Sequence, residues 1–93
     1  MKPPVSRHFT ITGSVQGVGY RWFADRAARK ADVTGFVENL PNGDVFLEVE
    51  GKREWIEELI GKLRKGPDLA RVEDVSVVWG EPHHLFINFR IKA

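Results

Sequence analysis

The segment from Gly13 to Arg21 has the residue types and spacing of an anion-binding turn. Glycines at positions 17 and 19 permit backbone conformations that other residues disfavour, and they keep side chains away from a ligand. The amides of residues 16–21 are predicted to point inward, beside the unpaired N–H groups of a following helix. Arg21 adds a permanent charge whose planar fork matches two phosphate oxygens. A tight turn that merely carries an arginine is the alternative, because the nucleotide patterns G-x-G-x-x-G and G-x-x-x-x-G-K-[ST] are both unmatched.

Asn39 is the second residue whose chemistry stands out. Its side-chain amide both donates and accepts hydrogen bonds, which suits orienting a water molecule rather than deprotonating one. It also stands directly before the turn Leu40-Pro41-Asn42-Gly43, where an asparagine can satisfy the backbone of the turn. The pattern alone leaves both roles open.

The first half of the chain predicts the elements that would position these residues. Alternation over residues 7–14 indicates a half-buried strand that runs into the glycine turn. Residues 21–32 place an alanine-rich stripe at helical spacing. Residues 33–40 and 44–50 are strand-like, and the Pro41-Asn42-Gly43 segment between them predicts a hairpin.

The second half repeats this order. Residues 52–65 carry an apolar helical stripe that Gly66-Pro67 ends, residues 72–80 indicate a strand, and residues 85–92 alternate as a last short strand. Right-handed crossovers place both helices on one face of an antiparallel sheet. We therefore predict a ferredoxin-like α+β sandwich, β-α-β-β-α-β plus a short C-terminal strand, as a single domain over residues 1–93 with a frayed arm at residues 1–5.

Composition narrows the possible classes of function. Lys and Arg total 14 against 13 acidic residues, so the net charge of +1 argues against a duplex nucleic acid as partner. The 42% of apolar residues form no run long enough to span a membrane. Because cysteine is absent, disulfides, thiolate metal sites and a cysteine nucleophile are excluded. We expect a cytoplasmic monomer that binds neither nucleic acid nor membranes.

Two motifs of the chain resemble the signatures of the acylphosphatase family. The first signature, G-x-V-Q-G-V-x-aromatic-R, is matched by Gly13-Ser14-Val15-Gln16-Gly17-Val18-Gly19-Tyr20-Arg21. The second, G-aromatic-V-x-N-x-x-x-G-x-V followed by a glycine, is matched by Gly35-Phe36-Val37-Glu38-Asn39-Leu40-Pro41-Asn42-Gly43-Asp44-Val45 and Gly51. Both occur in order and at the family's spacing.

The resemblance implies a hydrolase that needs no metal or cofactor and that cleaves the carboxyl–phosphate bond of acyl phosphates. Asn39 would position the attacking water, and inorganic phosphate, the product, would inhibit competitively. The phosphoryl group would be bound by the Arg21 side chain and the backbone amides of Gln16, Gly17, Val18, Gly19 and Tyr20. Ser14 occupies a variable position that the family often fills with a basic residue, and Glu38 stands where a basic or neutral residue is more usual. Both differences bear on how strongly the site attracts an anionic substrate.

Two other classes of function compete with this interpretation. A catalytically silent domain of the same fold would bind phosphate or carbamoyl phosphate without turnover. An RNA-recognition module would stack bases on aromatic residues of the open sheet face, where Phe36, Phe46 and Phe86 are candidates. Against it, Glu48 and Glu50 on the Phe46 face would repel phosphates.

The remaining histidines and carboxylates predict no further site. His83 and His84 lack neighbours with metal-ligand spacing, so we interpret them as solvated loop residues. His8 is predicted on the exposed face of the first strand. The pair Glu48 and Glu50 has no evident cleft around it, as a glycosidase pair would need.

Overall fold

A computed structural model describes residues 5–17, 19–80 and 86–92, with only the backbone described for residues 5–8. Within these residues lie five strands and two helices. They are, in chain order, β1 (Val5–Ser14), α1 (Tyr20–Lys30), β2 (Thr34–Asn39), β3 (Val45–Gly51), α2 (Arg53–Lys65), β4 (Arg71–Gly80) and β5 (Phe89–Ile91). Of the predicted N-terminal arm, residues 1–4 lie outside the described part, and Val5 already belongs to β1.

The strands form one sheet in the order β4-β1-β3-β2-β5. The four longer strands pair antiparallel, as predicted, and β1 and β3 lie side by side. The last strand, β5, instead pairs parallel with β2, so the complete sheet is mixed. With this one addition, the predicted ferredoxin-like α+β architecture is confirmed.

Both helices bury an apolar stripe against the sheet. In α1 the stripe consists of small alanines, Ala24, Ala27 and Ala28, which let the helix lie close to β2 and β5. In α2 it consists of Ile56, Leu59 and Leu63, which face β3 and β4. Each fully buried aliphatic side chain of this kind contributes roughly 1.5–3 kcal/mol to folding, so the core fixes the helices firmly over the sheet.

The C-terminal segment differs from its prediction. The alternation over residues 85–92 predicts that Ile87 shares a buried face with Phe89 and Ile91, but Ile87 is 95% exposed while Phe89 is 2% exposed. Of the described C-terminal residues, Phe89–Ile91 pair with β2, whereas residues 86–88 belong to no strand and include a bend at 87–88, so the alternation of a strand does not apply to them. Leu85 lies outside the described residues.

Among the described residues, neither helix combines the length and the apolar character that crossing a membrane requires.

Candidate active site

The topology collects several chain segments at one edge of the sheet. Because β2 runs antiparallel to β3, and β3 antiparallel to β1, the C-terminal ends of β1 and β2 lie at the same edge. Helix α1 begins there, directly after the glycine turn. Helix α2 runs antiparallel to α1 and ends there. The anion-binding turn and Asn39, predicted separately from sequence, therefore lie at this shared edge.

The turn depends on two glycines in the left-handed backbone region. Gly17 has a φ of 77° and Gly19 a φ of 79°, and a Cβ atom at either position would meet no atom within 4 Å. The glycines are thus required by the backbone conformation and not by packing, as the sequence predicts. Between them, Val18 lies outside the described residues, so the placement of its amide stays a prediction.

Helix α1 begins at this turn with a free positive end. Gly19 is its N-cap and can offer no side-chain oxygen, and no acidic residue lies in the first turn. The first helical hydrogen bond in the described residues runs from the N–H of Phe23 to the carbonyl of Gly19, across 3.0 Å. A helix start without a side-chain cap or a carboxylate is an environment that favours an anion.

Gln16 fixes the turn against the β2–β3 hairpin. Its Nε2 donates to the carbonyl oxygens of Leu40 at 2.8 Å and of Asp44 at 2.9 Å. Sequence reasoning considered only the backbone amide of Gln16 and missed this role of the side chain. The available signal was chemical: a primary amide has two donors, which two turn carbonyls can accept together.

The Arg21 side chain contacts the residue directly after β5. Its Nη1 donates to the backbone carbonyl of Lys92 at 3.3 Å, and the N–H of Lys92 donates to the carbonyl of Val37 on β2 at 2.8 Å. Val37 lies two residues before Asn39, so one backbone segment connects the two predicted site residues. A guanidinium carries five donors, and this bond uses only one of them.

Asn39 occupies the last position of β2, where it pairs with Val45. Its Oδ1 is buried, yet it accepts no hydrogen bond from any group in the described parts of the chain. A different asparagine serves the turn, because Asn42 Oδ1 accepts from the N–H of Asp44 at 3.0 Å. Leaving a buried acceptor without a donor costs about 1–3 kcal/mol, so Asn39 Oδ1 is suited to receive a donor from outside the protein.

The Tyr20 side chain belongs to the core. The residue is 1% exposed, and its hydroxyl donates to the carbonyl of Leu63, at the end of α2, across 2.7 Å. Burial raises the pKa of the Tyr20 phenol, so the group stays protonated at physiological pH. Tyr20 can therefore contribute to an anion site only through its main-chain N–H.

The aromatic residues considered for RNA recognition do lie together on the open face. The ring centroids of Phe36 and Phe46 are 6.0 Å apart, and those of Phe36 and Phe86 are 5.8 Å apart. The ammonium of Lys92 lies 4.3 Å from the Phe36 ring centroid. These rings pack on one another and on a lysine, so neighbouring side chains already cover part of the Phe36 ring that a stacked base would need.

The sequence predicts no metal site, but the histidines considered for one lie partly outside the described residues. Among the described residues, no group of three or more histidine, cysteine or acidic side chains is arranged to hold a metal ion. His83 and His84 lie outside these residues, and the His8 side chain is likewise not described.

Comparisons with known proteins agree with the motifs. The family model "Acylphosphatase" matches residues 7–91. The acylphosphatase of Thermococcus kodakarensis is 52% identical over 81 residues, which cover 87% of this chain and 89% of the relative. That of Salinibacter ruber is 49% identical over 82 residues, covering 88% and 86% of the two chains.

Solved structures show the same relationship. The crystal structure of acylphosphatase from Bacillus subtilis superimposes with a TM-score of 0.93 at 27% identity, covering 96% of this chain and 99% of that one. Full-length HypF, solved in a phosphate- and nucleotide-bound form, matches with a TM-score of 0.88 at 28% identity, and here the match covers 100% of this chain but 12% of HypF. The motifs, the sheet topology and these comparisons together establish that the chain belongs to the acylphosphatase family.

Proposed function

We propose that this chain hydrolyses the carboxyl–phosphate bond of acyl phosphates, releasing a carboxylate and inorganic phosphate without a metal ion or cofactor. The observation that carries the proposal is the buried Oδ1 of Asn39, which lacks a donor from the described residues and lies at the sheet edge where α1 begins. The side-chain oxygen that could bind a water molecule thus lies at the same end of the sheet as the helix N-terminus that could bind a phosphoryl group.

Arg21 and the turn amides bind the phosphoryl group in this proposal. The guanidinium provides charge and a planar fork, and the left-handed glycines turn main-chain N–H groups toward the oxygens. Such donors are fixed before the reaction begins, so they stabilise the charge that spreads over the phosphoryl oxygens in the transition state. The phosphate-binding residues are those predicted from sequence: Gln16, Gly17, Val18, Gly19, Tyr20 and Arg21.

Asn39 holds the attacking water. Its Oδ1 accepts a hydrogen bond from the water and places the water oxygen in line with the bond to be broken. An amide does not remove a proton, so a phosphoryl oxygen of the substrate takes the proton of the water. The leaving carboxylate is weakly basic and departs without an acid catalyst.

The product and the setting follow from this chemistry. Inorganic phosphate occupies the same donors as the substrate phosphoryl group, so it acts as a competitive inhibitor. We place the protein in the cytoplasm as a monomer, with small-molecule acyl phosphates and not nucleic acids or membranes as its partners.

Hydrolysis of benzoyl phosphate in excess EDTA tests the proposal. We expect Arg21→Ala and Asn39→Ala each to lower kcat by on the order of 10²-fold or more, the loss typical for one preorganised donor. Arg53→Ala and Asn88→Ala are matched controls, because both residues are exposed and lie at the opposite end of the sheet from the turn, Arg53 at the start of α2 and Asn88 directly before β5. Both controls should retain the parent rate.

Three results would decide against the proposal. Parent-like turnover in Arg21→Ala would remove the assignment of the site. Binding of inorganic phosphate without any benzoyl phosphate hydrolysis would identify a silent binding domain instead. Salt-dependent retention of single-stranded RNA, lost in Phe36→Ala, would favour the RNA-binding alternative.

A further inference from the structure

A groove of about 760 Å³ runs between the two helices, on the face of the molecule opposite the open sheet surface. Its volume lies within the roughly 300–1,000 Å³ typical of small-molecule sites. Gly19 of the turn forms one end of the lining, while Arg21 and Asn39 do not line it. The residues that give the groove its chemistry are Trp22, Phe23, Arg26, Lys30, Lys62 and Pro67.

The apolar part of the groove is centred on an exposed indole. Trp22 is 69% exposed, although it lies in the first turn of α1 beside the half-buried Phe23. The tryptophan contributes little to the core, so the core does not explain its presence. A large flat aromatic surface in a groove is a platform on which a planar ring can stack.

The polar part of the groove is entirely cationic. Within the part of the chain that the structure describes, Arg26, Lys30 and Lys62 form no ion pair and no hydrogen bond through their side chains. Arg29, which also lines the groove, is different, because its Nε donates to Asp25 and its Nη2 to the carbonyl of Phe89.

The helix dipole accounts for the positions of two of these three cations, but not for the third. Lys30 and Lys62 lie in the last turns of their helices, where the dipole favours a cation. Arg26 lies in the middle of α1, one turn from Lys30, where two like charges repel each other. A bound anion would relieve that repulsion.

We propose that this groove binds a ligand that joins a planar aromatic ring to a group with two or more negative charges. Nucleoside di- and triphosphates belong to this class. The ring stacks on Trp22, and the phosphates extend along α1 to Arg26 and Lys30, with Lys62 facing them from α2. The site is separate from the proposed catalytic residues. Among the described residues of the turn before α1, Gly19, the N-cap of α1, is the one that lines the groove.

Calorimetric titration with ATP in excess EDTA tests this site, with inorganic triphosphate as a probe that lacks the ring. We expect ATP to bind the parent protein and Arg21→Ala with equal affinity. Trp22→Ala should weaken ATP by about tenfold, as expected for loss of base stacking, and should leave triphosphate unaffected. The triple variant Arg26→Ala/Lys30→Ala/Lys62→Ala should weaken both probes by about a hundredfold.

The matched control removes the same net charge elsewhere. Lys52→Ala/Arg64→Ala/Arg71→Ala alters three exposed cations outside the groove and should bind ATP like the parent. Equal weakening by both triple variants would reduce the effect to net charge and overturn the site. Loss of ATP binding in Arg21→Ala would mean that ATP occupies the phosphate-binding turn, and it would overturn the site equally. Benzoyl phosphate hydrolysis should persist in the groove triple variant. The groove proposal and the proposed enzyme activity can therefore be refuted separately.

Discussion

The side-chain amide of Gln16 donates a hydrogen bond to the backbone carbonyl of Leu40 across 2.8 Å. The two residues are 24 positions apart, one in the turn before α1 and the other directly after Asn39. The bond thus connects the segment proposed to bind the phosphoryl group with the segment proposed to hold the water. A second bond, to the carbonyl of Asp44, fixes both sides of the hairpin.

Replacing Gln16 by glutamate should disrupt this connection. The ionised carboxylate cannot donate, and its charge would lie against two carbonyl oxygens, so two hydrogen bonds are lost and a repulsion is added. We expect the free energy of unfolding to fall by about 1–3 kcal/mol. The value of kcat/KM for benzoyl phosphate should fall by about tenfold to a hundredfold, because the water and the phosphoryl group lose their relative placement.

Gln16→Met is the control for this change, since it removes the donors without adding charge. Its losses in urea unfolding and in kcat/KM should be smaller than those of Gln16→Glu. Parent-like values of both quantities in the glutamate variant would show that the connection has no part in positioning the site.

The backbone of Lys92 should matter more for activity than its side chain. Lys92→Pro removes the N–H that donates to Val37 and shifts the carbonyl that accepts from Arg21, so we expect kcat/KM to fall by about tenfold. Lys92→Ala keeps both backbone groups and loses only the ammonium over Phe36, so it should cost about 0.5–1 kcal/mol of stability and little activity. Equal turnover of the proline and alanine variants would refute the positioning role.

Much of the fold was predictable because periodicity reports burial directly. The alanine stripe of α1, the Ile56, Leu59 and Leu63 stripe of α2 and the Asn42-Gly43 turn each encode local structure in a few neighbouring residues. The parallel pairing of β5 was not predictable in this way. This pairing involves three residues of an edge strand. The pattern of so short a strand indicates neither its neighbouring strand nor whether the two run parallel or antiparallel.

The candidate site could be predicted to the extent that it depends on side-chain chemistry. The charge of Arg21 and the amide of Asn39 are visible in the sequence, and the two family signatures select them. The Gln16 contacts and the Lys92 carbonyl are different, because their partners are backbone atoms that every residue possesses. Only the tertiary structure identifies which carbonyl is within reach.

Three glycines should respond to alanine for three different reasons. Gly19→Ala forces a left-handed conformation in open space and should cost about 1–2 kcal/mol. In Gly35→Ala the new Cβ would collide with the backbone carbonyl of Glu48 on β3, so we expect no folded protein. Gly61 lies within α2 in open space, and alanine there should stabilise by about 0.5–1 kcal/mol.

Thermal unfolding measures the effects of Gly19→Ala and Gly61→Ala, circular dichroism checks whether Gly35→Ala folds at all, and Gly19→Asn completes the series. Asparagine tolerates the left-handed region, so it should recover part of the stability that alanine loses at position 19. Equal destabilisation by asparagine and alanine would show that the side chain itself, and not the backbone conformation, is excluded there.

Tyr20 should make stability depend on pH in the alkaline range. Burial raises the pKa of its phenol above the ordinary value of 10.0, so the folded protein retains a proton that the unfolded chain releases. The contribution of Tyr20 to stability is therefore complete below pH 10 and is lost as the pH rises beyond it. The loss approaches about 1.4 kcal/mol per pH unit.

Tyr20→Phe isolates this effect, because phenylalanine keeps the ring and removes the titrating hydroxyl. At pH 8 the variant should be less stable by about 1–2 kcal/mol, since the Leu63 carbonyl loses its donor. Urea unfolding of both proteins from pH 8 to pH 11 should show this difference shrinking above pH 10, while the titrations of all other groups cancel in the comparison. A difference that stayed constant over this range would contradict a raised pKa for Tyr20. Benzoyl phosphate turnover by the variant at pH 7 should match the parent, because the phenol is buried in the core and only the main-chain N–H of Tyr20 belongs to the proposed phosphate site.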